Sequence, residues 1–505
     1  MTVSGRLAVP ALRFSMGISW PLLVAAGAFL SLLTQPGLLL GDGDVYWHVA
    51  AGRWIIEHTA IPTADPFSYP LRDAPWTAHE WLAEVMFASA YAAGGWSAVL
   101  AVAAGAYAWS LALLTRFLLR HLEPIYALLF ATMSASLLAP HLTARPHALM
   151  APLLVTWVVG LVRARERSVA PPWPLAFVMV LWANLHGSFL LALGLVVAFA
   201  TEAIVASAPG APRRSSARAW GLFLALSAMA AMATPFGARG VLFAIELDRM
   251  TYALSVIGEW RSLNFQRLQP LELWLLIFGG AILLRGLKLP PVRIILLLGL
   301  LHLALKHARH ADLLALIAPV IVAEPIAAQW SVSGNKADQA ARLDRWFAAL
   351  APPAAKGSVA LVLVLLLAVS AAAIRRDAVR PSDDITPHAA LRAAQDAGIR
   401  GPVLNEWNYG GYLIFSGIPP FIDGRADLYG DAFIQTYAEA MTLSKPELLP
   451  QLLEKYRVHW TLLSLDTPAV RALDRLPGWR RFYADKTAVV HVRECALPDG
   501  QRNAL

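Results

Sequence analysis

Gly41-Asp42-Gly43-Asp44-Val45-Tyr46-Trp47-His48 puts two carboxylates just past the end of a long apolar run, residues 16–40. Two glycines loosen the backbone around the acids, and aromatic residues follow at once. Acids close to hydrocarbon are costly, and those a chain keeps there tend to mark sites. Asp42 and Asp44 are therefore candidate catalytic residues. Each could act as a general base or hold a divalent ion against a phosphate. The plainer alternative is a helix cap or a solvated turn, since Gly-Asp-Gly is ordinary turn chemistry.

Outward from this stretch the chain is a membrane protein. Of its 505 residues 57% are hydrophobic and 15% charged, with a mean hydropathy of +0.53; a soluble chain of this size carries about 25% charge. The net charge of +8 is no nucleic-acid patch, because the basic residues fall in short runs between apolar segments. A single cysteine, Cys495, excludes an intrachain disulfide and a multi-cysteine metal site. Arg6 and Arg13 ahead of the first apolar run resemble a signal peptide, but no small-residue cleavage site follows. The run reads as an uncleaved span.

Eleven segments are long or apolar enough to be spans: 16–40, 96–115, 124–141, 147–162, 173–186, 188–207, 219–235, 271–286, 291–305, 311–329 and 358–374. The shortest, 173–186, ends at Asn184-Leu185-His186-Gly187. Arg116 and Arg120, Arg163 to Arg167, Arg213 to Arg218, Arg285 to Arg293, and Lys336 to Lys356 alternate with basic-poor connections. The positive-inside rule puts these and the N-terminus in the cytoplasm. The acid motif, the turns 142–146, 184–187 and 306–310, the loop 236–270 and the C-terminal region then lie outside. The expected architecture is an α-helical polytopic protein of the inner (cell) membrane over residues 1–375, with a small α/β extracytoplasmic domain at 376–505.

In the first outer loop, 41–95, Val45 to Glu57 reads as an amphipathic helix with Trp47, Val49, Trp54, Ile55 and Ile56 for an interfacial face. A turn-rich stretch with four prolines and a second helix from His79 follow. In the last domain Val403-Leu404, Leu413-Ile414-Phe415, Trp460 to Leu465 and Ala488 to Val492 read as strands. Ala432 to Leu443 and Lys445 to Tyr456 read as helices.

The other polar clusters share the outer side. Arg145, His147 and His186 sit where apolar runs end, suited to an anionic headgroup or to snorkelling and capping. Lys306-His307-Ala308-Arg309-His310 breaks the positive-inside pattern, and a phosphate is the natural reason; His307 and His310 share a helix face. Glu259, between Gly258 and Trp260, is a metal or substrate ligand or half of a surface pair with Arg261. Trp407, Asn408 and Tyr409, with Asp423 and Arg425 beyond, form either a flat recognition surface for a sugar or peptide or a strand-turn core.

In this order the pieces resemble the GT-C class of membrane glycosyltransferases, above all the catalytic subunit of oligosaccharyltransferase. Asp44-Val45-Tyr46-Trp47-His48 is similar to the family's first-loop aspartate and aromatic run. Glu406-Trp407-Asn408-Tyr409-Gly410 is similar to its Trp-Trp-Asp-Tyr-Gly acceptor motif, with Asn408 in place of the aspartate and Glu406 in place of the first tryptophan. Ile257-Gly258-Glu259 resembles the Thr-Ile-x-Glu loop. Where the family's second acidic motif is expected, Arg145-Pro146-His147 stands. The resemblance implies a GT-C-like fold, which the about eleven spans counted above would build. It also implies transfer of a sugar from a polyprenyl-phosphate-linked donor to a glycan, lipid or protein acceptor at the outer face. Asp44 and Asp42 would be catalytic. Lys306, His307, Arg309, His310, Arg145 and His147 would hold the donor phosphate. Glu259, Trp407, Asn408, Tyr409, Asp423, Arg425 and His186 would face the acceptor. Asp42, Asp44 and Glu259 are too few for a tight cage, so any Mg²⁺ or Mn²⁺ would bind weakly with water and phosphate, and the reading leans to metal independence. The alternatives are a transporter or flippase of a lipid-linked or anionic solute, which needs buried mid-span polar residues and inverted repeats, and a non-catalytic scaffold.

Overall fold

The computed structural model describes residues 17–247, 250–330 and 340–494. Arg6, Arg13, Lys336 and Cys495 lie outside them. Each expected apolar segment contains a helix, from Trp20–Leu33 to Lys356–Arg376. Among the described residues six are long and apolar enough to cross a bilayer: Trp81–Leu118, Pro124–His141, Pro146–Glu166, Phe189–Ala206, Ala308–Gln329 and Lys356–Arg376. Trp20–Leu33 and Trp173–Leu185 are shorter apolar helices. This is a multi-pass membrane protein. Lys356–Arg376 turns its aliphatic side chains outward, with Leu367 68% exposed, as a lipid-facing helix does.

The long helix Trp81–Leu118 organises the bundle, packing on Trp20–Leu33, Asp44–His58 and Pro146–Glu166. It joins what the sequence reads as a loop helix and a separate span, through a kink at Gly94-Gly95. Gly95 has φ 58°, open to glycine at no steric cost. A side chain at Gly94 would meet Ile374 at 2.8 Å, so the kink also admits the last helix.

The loop helix Asp44–His58 does not spread its apolar face on a lipid surface as its periodicity suggests. Trp47, Val49 and Ile55 are buried, against Trp81–Leu118 on one side and Gly410–Phe415 on the other. Ile56 alone of that set is largely exposed, at 47%.

The C-terminal domain is built on a four-stranded sheet of order β1-β2-β4-β3. β1 (Val403–Asn405) runs parallel to β2 (Trp460–Ser464). β4 (Ala488–Arg493) is antiparallel to both β2 and β3 (Trp479–Ala484). The crossover between β1 and β2 carries Gly410–Phe415, Ala426–Met441 and Leu448–Lys455. Leu413-Ile414-Phe415, expected as a strand, is thus helical, because it follows a Gly-Gly pair that opens a turn of helix against Asp44–His58. β3 is an additional strand whose Arg480 and Arg481 obscure its alternation.

A buried ion cluster fastens this domain to the loop 41–95. Arg425, 1% exposed, donates to Asp65 at 2.6 Å and to Asp423 at 2.7 Å. The Tyr429 hydroxyl donates to Asp423 at 2.8 Å. Beside it the Tyr69 amide donates to Pro420 O at 3.2 Å.

Candidate functional site

Asp42 and Asp44 are held by different means. The Asp44 amide donates to Asp42 Oδ1 at 2.9 Å, which closes the Gly-Asp-Gly turn. Asp44 then opens the helix Asp44–His58, where a carboxylate suits the positive end of the backbone dipoles. The C-terminal domain seats the turn from the other side. A Cβ at Gly43 would lie 2.4 Å from Asn408 O, one at Gly411 2.2 Å from Gly43 O, and one at Gly424 1.7 Å from Asp44 Oδ1.

Arg145 comes from the residue before Pro146–Glu166. The Ala144 amide donates to Leu39 O at 2.7 Å and so ties this turn to the approach of the acid motif. The Arg145 guanidinium reaches Asp44 Oδ2 at 2.9 Å, Asp42 Oδ2 at 3.1 Å and Glu259 Oε2 at 3.2 Å. The other Glu259 oxygen accepts from Arg309 at 2.7 Å. Arg309 also lies 4.6 Å over the Trp260 ring. Three carboxylates therefore share two guanidiniums, drawn from four separate stretches of the chain.

Burial pushes the Asp44 carboxyl up to about 7, with Arg145 pulling the other way and the Asp42 and Glu259 charges adding to the rise. Burial alone would also raise Glu259, but Arg145 and Arg309 hold it at about 2. Two of the three acids on Arg145 are thus split: Glu259 stays ionised, and Asp44 exchanges a proton near neutrality. A pair of carboxyls driven apart in this way is the pattern of acid–base sites.

These groups line one cavity of about 660 Å³. Of the residues singled out in the sequence it gathers Asp42, Asp44, Arg145, His147, His186, Glu259, Arg309, His310 and Trp407. Lys306 and His307 do not line it; His307 Nδ1 is 2.5 Å from Trp260 O and braces the loop that carries Glu259. Asn408 backs Gly43 through its carbonyl. The Tyr409 hydroxyl donates to Thr487 O at 2.8 Å inside the C-terminal domain. Asp423 and Arg425 belong to the buried ion cluster. His79, Glu80, Glu84, Asp312 and Asp427 also line the cavity. The sequence signal for Glu80 and Glu84 is their four-residue spacing at the start of a helix, which puts both on one face.

Leu138, Met150, Leu154, Leu190 and Leu316, from four of the apolar helices, complete the wall. The carboxylates of Asp42, Asp44 and Glu259 converge on Arg145, not on one another. Among the described residues no three His, Cys, Asp or Glu side chains are grouped to hold a metal ion. The residues present do not form a protein cage for Mg²⁺ or Mn²⁺.

No protein-family model matches the sequence, and no curated protein matches it. Solved structures do. The oligosaccharyltransferase AglB from Archaeoglobus fulgidus, in complex with an inhibitory peptide and a dolichol-phosphate, is 12% identical, with a TM-score of 0.51 over 95% of this chain and 75% of that one. The apo form of the Archaeoglobus fulgidus oligosaccharyltransferase gives a TM-score of 0.52 at 12% identity, over 88% of this chain and 69% of that one. ArnT from Cupriavidus metallidurans in the apo state gives 0.50 at 12% identity, over 95% of this chain and 99% of that one. The chain therefore shares the fold of these oligosaccharyltransferase and ArnT structures.

Proposed function

We propose that this protein is a membrane glycosyltransferase that moves a sugar from a polyprenyl-phosphate-linked donor to an acceptor at the outer face of the membrane. The observation that carries this is the composition of one cavity wall, which combines a cluster of carboxylates and arginines with leucines from apolar helices. A ligand that satisfies both has an anionic head and a long apolar tail. The likeness in fold to a protein solved with dolichol-phosphate supports the same reading.

In this reaction a nucleophile of the acceptor gives its proton to Asp44 and bonds to the anomeric carbon. The bond between that carbon and the phosphate oxygen breaks, and its electron pair leaves on the lipid phosphate. Arg309 and Arg145 neutralise the charge that develops there. Asp42 holds the Asp44 amide and shares Arg145, a supporting role. No step requires a metal ion.

Arg309 is the sharpest test, because among the described residues its guanidinium is held by one carboxylate, Glu259, and by Trp260. Arg309→Ala should weaken binding of a polyprenyl phosphate by about 1.5–3 kcal/mol, the worth of a charge-assisted hydrogen bond. Binding of the phosphate lipid that is equal in variant and parent would remove the assignment.

A further inference from the structure

The peptide that closes over Asp44 is the middle of a clasp. Ile422-Asp423-Gly424-Arg425 leads from the C-terminal sheet to the helix Ala426–Met441, and both of its ends are pinned. At the sheet end the Asn405 side chain, wholly buried at the end of β1, donates to Ile422 O at 2.8 Å and accepts from the Phe421 amide at 2.8 Å. A Cβ at Gly410 would lie 2.2 Å from Ile422 O, so the segment already rests on the backbone behind it. At the other end Arg425 folds back on Asp423. Its Nε donates to Oδ1 at 2.8 Å, its Nη2 to Oδ2 at 2.7 Å and its own amide to Oδ1 at 3.0 Å. Gly424 sits inside this ring of contacts and cannot move without breaking it.

The remaining donor of Arg425 reaches across to the loop 41–95, which also carries Asp44. Nη1 donates to Asp65 Oδ1 at 2.6 Å. Asp65 is itself fixed by the amides of Phe67 and Ser68, both at 3.0 Å. The guanidinium lies over the rings of Phe67 and Trp76, at 5.2 and 4.8 Å. Asp65 and Asp423 are wholly buried and Arg425 is 1% exposed. Stability alone does not ask for these ions, since apolar side chains of similar volume would hold such a seam as well or better. A guanidinium fork adds a fixed distance and angle. What it fixes here is the height of Gly424 over Asp44, where a Cβ would lie 1.7 Å from Oδ1.

We propose that Arg425 is a positioning residue: by gripping Asp423 and Asp65 at once, it holds the Gly424 peptide over Asp44 Oδ1 and keeps water off that face of the carboxyl. The inference rests on Asp44 as the base in the transferase reading. The two are separable, because the state of the Asp44 carboxyl can be read without any transfer.

The test uses the full chain in lipid nanodiscs and infrared difference spectra between acid and alkaline buffer. A carboxylic C=O band that Asp44→Asn removes belongs to Asp44. Water bonded to that oxygen lowers the stretching frequency. Arg425→Lys keeps the charge and loses the fork, so the band should shift to lower frequency. Tyr429→Phe takes one hydrogen bond from Asp423 and changes no charge; it should shift the band the same way by less, and it decides the matter if the lysine variant does not fold. Asp431→Ala is the control. It removes the acceptor of the Thr251, Tyr252 and Ala253 amides, at 2.8, 3.0 and 2.9 Å, another seam of the same helix. It should lower the unfolding temperature and leave the band in place. A band unmoved in both Arg425→Lys and Tyr429→Phe, or moved as far by Asp431→Ala, overturns the positioning role. So does a parent with no Asp44 band, whose carboxyl is then open to water. Binding of polyprenyl phosphate is followed on the same samples. A parent whose band behaves as described but that binds no polyprenyl phosphate overturns the donor reading and leaves the clasp standing.

Discussion

Asp44 and Asp42 share an arginine and a turn, yet only Asp44 is fixed on every side. It begins a helix, it pairs with Arg145 at 2.9 Å, and Gly424 closes over its Oδ1. Asp42 is nearly twice as exposed, at 28% against 15%, and spends one oxygen on the Asp44 amide. Asp44→Asn should therefore lower turnover by about a hundredfold or more, the range for a lost general base, with donor binding nearly intact; Asp42→Asn should be milder. The pH dependence follows with a definite sign. A base must be deprotonated, and burial raises Asp44 to about 7, so the rate should climb through neutrality and fall below it. Arg145 is the group that opposes the rise, so Arg145→Gln should move the acid limb to higher pH. A rate profile flat between pH 6 and 8, or full activity of Asp44→Asn, would remove Asp44 as the base.

Between elements, the organising contact is backbone on backbone. The Trp407-to-Gly411 stretch reads in the sequence as a recognition surface or a strand-turn core, and the structure gives it mainly a seating role. Asn408 O and Gly411 press on Gly43, and Gly424 presses on Asp44. Two alanine substitutions separate the consequences. Gly411→Ala drives a Cβ to 2.2 Å from a backbone oxygen, which cannot swing aside, so thermal unfolding should show a loss of about 1–3 kcal/mol. Gly424→Ala meets a side-chain oxygen at 1.7 Å. Asp44 can rotate away, so the fold should hold while turnover drops. Turnover of Gly424→Ala equal to the parent's would show that the acid is not seated there. The same comparison marks what the sequence makes legible. The acid motif, Arg145 and Arg309 stand out because charge at the end of an apolar run is costly, and Glu259 stands out only as an acid between Gly258 and Trp260. Glu80 and Glu84 are flagged only by their four-residue spacing at a helix start, and nothing local flags Asp427. The loop helix misleads for the opposite reason: its stripe is amphipathic, but periodicity does not say whether protein or lipid covers it.

At the scale of the whole molecule, two kinds of polar contact collect at opposite ends of the bundle. At one end Glu202 accepts from Arg165 at 3.3 Å and Arg293 at 3.1 Å, and His121 lies 3.3 Å from Glu166; these belong to the arginine-rich connections. At the other end sit the acid motif, Arg145, Glu259 and Arg309, and the C-terminal domain joins them, with the Ser382 amide donating to Leu40 O at 3.2 Å. Loops rich in Arg and Lys stay in the cytoplasm, so we propose that the cavity and residues 376–505 face outward, with eleven crossings and a cytoplasmic N-terminus. Labelling decides it. In a Cys495→Ala background, Asp383→Cys presents a thiol where the native side chain is 82% exposed, and Arg214→Cys presents one at an exposed position in the first turn of the helix Ala211–Ala231, which follows Phe189–Ala206. A membrane-impermeant maleimide added to whole cells should label Asp383→Cys and leave Arg214→Cys untouched until the membrane is broken. The reverse pattern would turn the cavity towards the cytoplasm and with it exclude a donor presented at the outer face. Labelling of both in intact cells would place an even number of crossings between them, where the proposed topology requires an odd one.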